Sequence, residues 1–302
     1  MKIDVLGALS VRVNGVSITP TAPKPRQVLA LLALHADQVV PVAALIEELW
    51  GEEPPRSART TLQTYVLQLR ALIATALEAD PANRADTADG PDGADRSEQA
   101  APSERTAPSE RAERTAKDVL VTLPGGYLLD SGGGTHDVRE FDRLAGSGYR
   151  AMDAGDFPTA ARLLREALSL WSGSAFADVH GGAQLDMEIL RLEETRLCAL
   201  DQRIEAELRL GRHRELLAEL TVLASRYRTH ENLHGQFMLA LHRSGRRGEA
   251  LDVYQRLRAT LVRELGLEPS AALRRLQRSI LMAGPDSLAA AGEADGERLV
   301  RI

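Results

Sequence analysis

Apolar and polar residues alternate over residues 2–19, the period of a strand with one buried face. Val11, Val13, Val16 and Ile18 flank Asn14-Gly15, a pair that accepts the positive φ angles of a tight hairpin turn. The period then lengthens. In PKPRQVLALLALHAD, Pro25 suits a first helical position and Val28, Leu29, Leu31, Leu32 and His35 follow, in a helix apolar almost all round. Such a helix belongs at the centre of a domain. A second helix is predicted from Pro41 to Trp50, with Val42, Leu45, Ile46, Leu49 and Trp50 inward. After the breaker Pro54-Pro55 a longer helix runs from Arg56 to Leu77, with Ser57 as its N-cap. Leu62, Tyr65, Val66, Leu69, Leu72 and Ile73 share one of its sides. Thr60, Gln63, Thr64, Leu67 and Ala71 share the other, with Arg59 and Arg70 at one border and Gln68 at the opposite one.

A hairpin, two helices and a longer third helix form the skeleton of a winged helix. Its wing is postponed. Residues 79–117 hold almost no large apolar side chain and contain the direct repeat APSERTAPSER; that composition predicts no packed structure. Periodicity returns with DVLVTLPGGYLLD, a second hairpin turning at Pro124-Gly125-Gly126. Gly132-Gly133-Gly134 reads as a flexible joint. Beyond it the chain is helical, and three segments share one pattern. Gly155, Gly211 and Gly245 each end a helix before a short polar turn and a new apolar run. The last two stand 34 positions apart, the tetratricopeptide period. WSGSAFADVHGGAQLD separates the first from the others, ahead of a long helix near Leu185–Leu210. Gly266 to Ser270 closes one helix and opens the last, and residues 284–302 read as a flexible tail. The expected architecture is an α+β winged helix-turn-helix domain over residues 1–130, interrupted by 79–117. An all-α tetratricopeptide-like domain follows over 136–283.

Charge changes how the long helix reads. As a solvated amphipathic helix it would show acidic residues outward, yet none occurs from Arg56 to Leu77. Cations, hydroxyls and amides on a rigid rod suit a phosphate backbone and base edges. The whole chain carries a net charge of −6, so contact with nucleic acid must come from a local patch. Cys198 is the only cysteine, which excludes an intramolecular disulfide; between Leu197 and Ala199 it is expected to be buried and inert. With no signal peptide and no apolar run of membrane-spanning length, a cytoplasmic protein that does not enter a membrane is expected.

One motif points elsewhere. His230-Glu231-Asn232-Leu233-His234 matches the H-E-x-x-H pattern of zinc peptidases, in which two imidazoles share a helix face. Phe237 and Ala240 stand where a metzincin would place glycine and histidine, and Leu233, Phe237, Met238 and Leu241 read as the inner face of a repeat helix. No phosphate-binding loop, nucleophile elbow or C-x-x-C occurs. A non-enzyme with no catalytic residue, metal or cofactor is expected.

Taken together, VLGALSVRVNG, PKPRQVLALLALHA, LIEELWGEEPPRSARTTLQTYVLQLR and TLPGGYLL resemble the OmpR/PhoB-type winged helix of SARP-type antibiotic-regulatory activators. The helical half resembles the bacterial transcriptional activation domain that follows it in that family. The resemblance implies a sequence-specific transcription activator of antibiotic or other secondary-metabolite genes. It would bind direct repeats in double-stranded promoter DNA and recruit RNA polymerase holoenzyme, with homodimerisation on DNA as a further expectation. Gln63, Thr64, Leu67 and Gln68 would face bases, while Arg56, Arg59, Thr60 and Arg70 hold phosphates. Gly126 and Tyr127 would shape the wing, and Glu52 and Glu53 would touch polymerase. Many members have Ser-Arg where this chain has Leu67-Gln68, and a further Arg at Ala71, so this reader has fewer cations. A protein-binding adaptor with a vestigial winged helix, and a repressor of the same fold, are the alternatives.

Overall fold

The computed structural model describes residues 1–79 and 114–282. Most of the inserted stretch 79–117, and the tail 284–302, lie outside the described residues. The chain divides into two compact units: Met1–Glu140 with Leu170–Glu193, and Phe141–Ser169 with the chain from Glu194 on.

In the first unit, strands β1 (Lys2–Asp4), β2 (Ser10–Val13) and β3 (Val16–Ser17) form the expected antiparallel hairpin, with Asn14 and Gly15 both at positive φ. Helix α1 (Pro23–Leu34) is buried from Gln27 through Ala33, as an all-round apolar helix must be. A short strand absent from the sequence reading, β4 (Val39–Pro41), precedes α2 (Val42–Trp50). The long helix α3 runs from Ala58 to Glu78 and buries Leu62, Val66, Leu69, Ile73 and Ala76. Its N-cap, Ser57, makes no side-chain capping bond, and Leu72 is 37% exposed rather than inward.

Order resumes inside the stretch expected to be unstructured. Helix α4 (Ala116–Val119) is a single turn held by reciprocal bonds between Thr115 and Asp118. The wing follows as β5 (Leu120–Leu123) and β6 (Gly126–Leu129), turning at Pro124-Gly125, with β4 on the far side of β6. Gly132-Gly133-Gly134 forms a closely packed turn, because a Cβ on Gly134 would overlap the Met1 carbonyl. That approach lets β7 (Thr135–His136) pair in parallel with β1. Helix α5 (Asp137–Asp153) starts here; its Asp137 carboxylate accepts the Val5 and Leu6 N–H groups at 2.6 and 2.8 Å.

The stretch WSGSAFADVHGGAQLD packs into this unit. Ser172, Phe176 and Ala177 donate backbone bonds to Leu6, Val5 and Gly7, each at 2.9 Å. Asp178 accepts from Leu9 at 2.8 Å and pairs with Arg26. The connection ends on Glu48, a carboxylate of α2 that is 2% exposed. Glu48 accepts from the Gln27 amide at 2.9 Å, from Gly182 N–H, from Gln184 at 3.0 Å and from Leu185 at 3.2 Å. It therefore caps the N-terminus of α7 (Ala183–Arg209), where free N–H groups and the helix dipole favour an anion.

In the second unit, α5 from Phe141 and α6 (Phe157–Ser169) approach closely at Gly148, where a Cβ would lie 2.6 Å from Leu164. Then come α7 from Glu194, α8 (His213–Arg226), α9 (Glu231–Arg243), α10 (Arg247–Leu265) and α11 (Ala271–Met282). The glycine pattern closes three helices identically. Asp156, Arg212 and Arg246 donate to the carbonyls of Ala151, Glu207 and Leu241, each five residues back, and the preceding glycines have φ of 74°, 76° and 80°. This is the Schellman closure, whose left-handed residue is most readily a glycine. A core of Leu216, Leu220, Leu233, Met238, Leu241 and Leu257 fills the later hairpins. Cys198 is exposed, not buried. Partial burial of the sulfur and the carboxylates of Glu194 and Asp201 push its thiol up, which makes it a poor nucleophile.

Two measurements test this account. Glu48→Ala leaves three backbone N–H groups without their acceptor and removes one of the two bonds of the Gln27 amide, and should cost about 3 kcal/mol in urea unfolding. Asp37 accepts from Ser131 N–H at 2.8 Å, Ser131 Oγ at 2.9 Å and Arg139 at 2.7 Å. Burial pushes its carboxyl up, but these bonds outweigh burial and hold it below its ordinary value. The stabilisation is thus complete above the ordinary carboxylate range and is lost as pH falls through the lowered value. Asp37→Asn, tolerated at this residue's φ of 68°, should flatten the acid limb of a pH–stability curve.

Candidate nucleic-acid interface

The face of α3 opposite the core is open. Arg56, on the turn before the helix, and Arg59, Thr60, Gln63, Thr64, Leu67 and Gln68 are all exposed. Leu67 is 62% exposed. Packing explains why this face stays clear: α1, α2 and α4 all contact α3, and the buried row Leu62, Val66, Leu69, Ile73 turns the remaining side chains outward. Neither Arg56 nor Arg59 has a hydrogen-bond or ion-pair partner among the described residues, and no acid sits in the first turn of the helix. The Thr64 hydroxyl donates to the Thr60 carbonyl at 3.1 Å, so toward solvent it presents its acceptor lone pairs and its methyl group.

Arg70, expected to hold a phosphate, has a partner within the fold, and Gly126 and Tyr127, expected to shape the wing, lie inside it. Arg70 is half-buried, and its Nε and Nη2 donate to the Leu120 carbonyl at 3.0 and 2.7 Å, with Nη2 also 2.7 Å from Thr122 Oγ1. The guanidinium is a strut from α3 to the first wing strand. Residue spacing placed Arg70 at the border of the helix but carried no information about a wing 50 residues away. Gly126 and Tyr127 are buried. Gly126 lies against β4, where a Cβ would come within 2.8 Å of Val39, and Tyr127 is 7% exposed. They shape the wing from within, while Thr122, Pro124 and Gly125 form its exposed rim. Lys117 on α4, inside the stretch 79–117, is exposed three residues before β5 begins at Leu120. The apolar pair Val119-Leu120 just after it was the signal that order had already returned.

The loop Gly51–Pro55 is exposed throughout, Glu52 and Glu53 included, and neither carboxylate has a partner among the described residues. The H-E-x-x-H residues are used as caps. His230 is the N-cap of α9, its Nδ1 accepting from Leu233 N–H at 3.3 Å. Glu231 accepts from Ser270 N–H at 2.8 Å, ahead of α11. His234 Nδ1 lies 3.0 Å from the His230 carbonyl. The two imidazoles therefore do not converge as a helical i, i+4 pair.

An exposed, cationic, acid-free helix backed by a three-helix core and a β-hairpin is a DNA-reading arrangement. Comparison with known proteins agrees. Residues 17–89 match the model described as "Transcriptional regulatory protein, C terminal", and residues 136–281 match "Bacterial transcriptional activator domain". The chain is 50% identical to the regulatory protein DnrI of Streptomyces peucetius, over 94% of this chain and 93% of that one. The chain belongs to the SARP family of transcriptional regulators. It is 33% identical to the regulatory protein AfsR of Streptomyces coelicolor, over 94% of this chain but 24% of that longer protein. A solved structure of Mycobacterium tuberculosis EmbR, in complex with a low affinity phosphopeptide, superposes with a TM-score of 0.74 at 29% identity, covering 96% of this chain and 68% of that one. The match to the activator domain begins at residue 136, whereas the first packing unit also takes in Leu170–Glu193. Among the described residues no helix is long and apolar enough to cross a membrane.

Arg70→Ala should destabilise the wing without removing an exposed cation from the helix. Hydrogen exchange of the β5 and β6 amides should rise while those of β1 and β2 stay protected, and overall stability should fall by about 1–3 kcal/mol. Unchanged exchange in the wing would show that the strut carries no load.

Proposed function

We propose that this SARP-family regulator is a sequence-specific activator of antibiotic or other secondary-metabolite biosynthesis genes. It binds direct repeats near its promoters and recruits RNA polymerase holoenzyme. The observation that carries this reading is the exposed face of α3, which from Arg56 to Leu72 holds cations, hydroxyls and amides and no acid. Identity of 50% with DnrI along nearly the whole chain supports it.

In this reading α3 lies in the major groove. Gln63 and Gln68 offer amides that pair in bidentate fashion with adenine, Leu67 packs on a thymine methyl, and Thr64 serves either kind of contact. Arg56, Arg59 and Thr60 fix the register on the phosphates. The wing rim and Lys117 reach the neighbouring backbone. Glu52 and Glu53, in the loop between α2 and α3, are the polymerase contact, and the helical unit supports homodimerisation on DNA. The protein acts in the cytoplasm.

Genome-wide footprinting of bound DNA tests the reading first: enrichment at repeated sites upstream of biosynthetic genes is expected, and binding without sequence preference overturns it. Salt titration then separates the roles. Arg56→Ala and Arg59→Ala should each lower the slope of log affinity against log salt by about one unit, on specific and non-specific duplexes alike. Gln63→Ala should leave the slope intact and cost about 1–3 kcal/mol of discrimination at one base pair. The wild-type slope should also be shallower than that of a relative carrying Ser-Arg in place of Leu67-Gln68.

A further inference from the structure

Within the second unit, α8, α9 and α10 line a groove of about 500 Å3 that is partly open to solvent. Ala224, Phe237, Val253 and Leu257 supply its apolar lining, and three guanidinium groups, Arg228, Arg256 and Arg263, line it without any carboxylate. Just beside it, Glu264 is shared by Arg228 and Arg263, each at 3.0 Å. Arg256 has no hydrogen-bond or ion-pair partner among the described residues. Cationic charge in the groove therefore exceeds what the fold itself neutralises.

Two hydroxyls and an imidazole narrow the choice of occupant; Thr260, the third lining hydroxyl, has no partner among the described residues and can donate or accept. Ser225 Oγ donates to the Thr221 carbonyl at 3.0 Å and Thr221 Oγ1 to the Leu217 carbonyl at 2.8 Å, so both offer only lone pairs to the groove. His234 lines it as well and is only 6% exposed. Its Nδ1 faces the His230 carbonyl, which can only accept, so Nδ1 carries the proton and Nε2 is left as an acceptor. Burial, and then the neighbouring charges of His230 and Arg256, push this imidazole below its ordinary value despite the bond to the carbonyl. The ring is neutral near pH 7. A nucleic-acid backbone would satisfy the arginines but set its phosphates against these acceptors. A peptide brings both kinds of group, carboxylates for the guanidinium groups and backbone N–H donors for the acceptors.

We propose that this groove receives an acidic, amphipathic peptide segment of a partner protein. Its Asp and Glu side chains meet Arg228, Arg256 and Arg263. An apolar anchor sits on Phe237, Val253 and Leu257, and a backbone N–H reaches His234 Nε2. From Val253 to Arg263 the lining row of α10 spans about 15 Å, which accommodates roughly four or five residues of extended chain.

The test uses the full chain without DNA, so it stands apart from the promoter-binding reading. A fluorescein-labelled peptide of sequence DLEDLFDE is titrated by fluorescence anisotropy, beside the same peptide with Asn and Gln replacing Asp and Glu. Saturable binding is expected, at least about tenfold tighter for the acidic peptide. Arg256→Glu should weaken it about tenfold or more, and Arg256→Gln by less. Glu264→Gln should tighten it, because it releases two arginines, and a purely structural role for these residues gives no reason for that gain. Equal binding of the neutral peptide, indifference to both Arg256 variants with unchanged melting temperatures, or weakening by Glu264→Gln overturns the proposal. So does a chain ending at residue 283 that binds about tenfold tighter, since the groove would then already hold the protein's own tail. Displacement of the peptide by duplex DNA that itself needs Arg256 would assign the groove to phosphate instead, and likewise overturns it.

Discussion

The buried carboxylate of Glu48 is the constraint on which the first unit turns. A carboxylate that is 2% exposed is tolerable only if its lone pairs are filled, and this one is filled from two directions. Gln27 reaches it from α1, and the amides of Gly182, Gln184 and Leu185 reach it from the start of α7 and the residue just before it. Gln27 also donates to the Glu48 carbonyl at 2.7 Å. One side chain thereby fixes α2 against α1 and ends the path of the 170–182 connection. The geometry leaves no slack, since a Cβ on Gly182 would overlap the Glu48 carbonyl. With α1 and α2 held, α3 has a rigid bed for its buried row, and its outward face is set by rotation rather than by chance.

Little else is charged alongside that outward face. The net charge of −6 gives no general attraction to nucleic acid, so steering and grip must be local. Half-buried Arg70 is committed to the wing, which leaves Arg56, Arg59 and the nearby Lys117 as uncommitted cations in this region. In the proposed reading, affinity drawn from so few phosphate contacts is modest, and amides and apolar contacts on bases, together with contacts between proteins, supply more of the selectivity. The cationic groove of the helical unit is a second place where the fold leaves charge unneutralised, and its acceptors suit a different kind of partner.

Much of this was legible from period alone. The Asn14-Gly15 turn, the all-apolar α1, the buried row of α3 and the three glycine closures are local, and each depends on residues within a few positions of one another. What escaped the sequence was non-local. β4 is two β-branched residues before a proline, too short to show alternation, and it exists because β6 offers it a partner. Arg70 looked like a border cation because its acceptor, the Leu120 carbonyl, lies across the insertion. WSGSAFADVHGGAQLD looked like an interruption of the repeat. Its Phe176, 1% exposed and at a φ of 51°, shows instead a segment whose burial offsets backbone strain. Cys198 was misplaced for the converse reason: apolar neighbours in sequence do not share its face of the helix.

The histidine motif carries the same lesson further. H-E-x-x-H presumes that both histidines lie inside one helix, so that residues four apart point the same way. Here the helix begins at Glu231, and His230 stands outside it with an extended backbone. Moving a helix start by one residue turns a ligand geometry into a cap: His230 closes the first turn, and Glu231 secures the Ser270 amide at the start of another helix. The same boundary sends the His234 Nδ1 proton to the His230 carbonyl and leaves Nε2 as the acceptor of a ring that lines the groove. A sequence pattern that suggests metal chemistry therefore fixes, through its actual place in the fold, the hydrogen-bond polarity of a surface suited to a peptide.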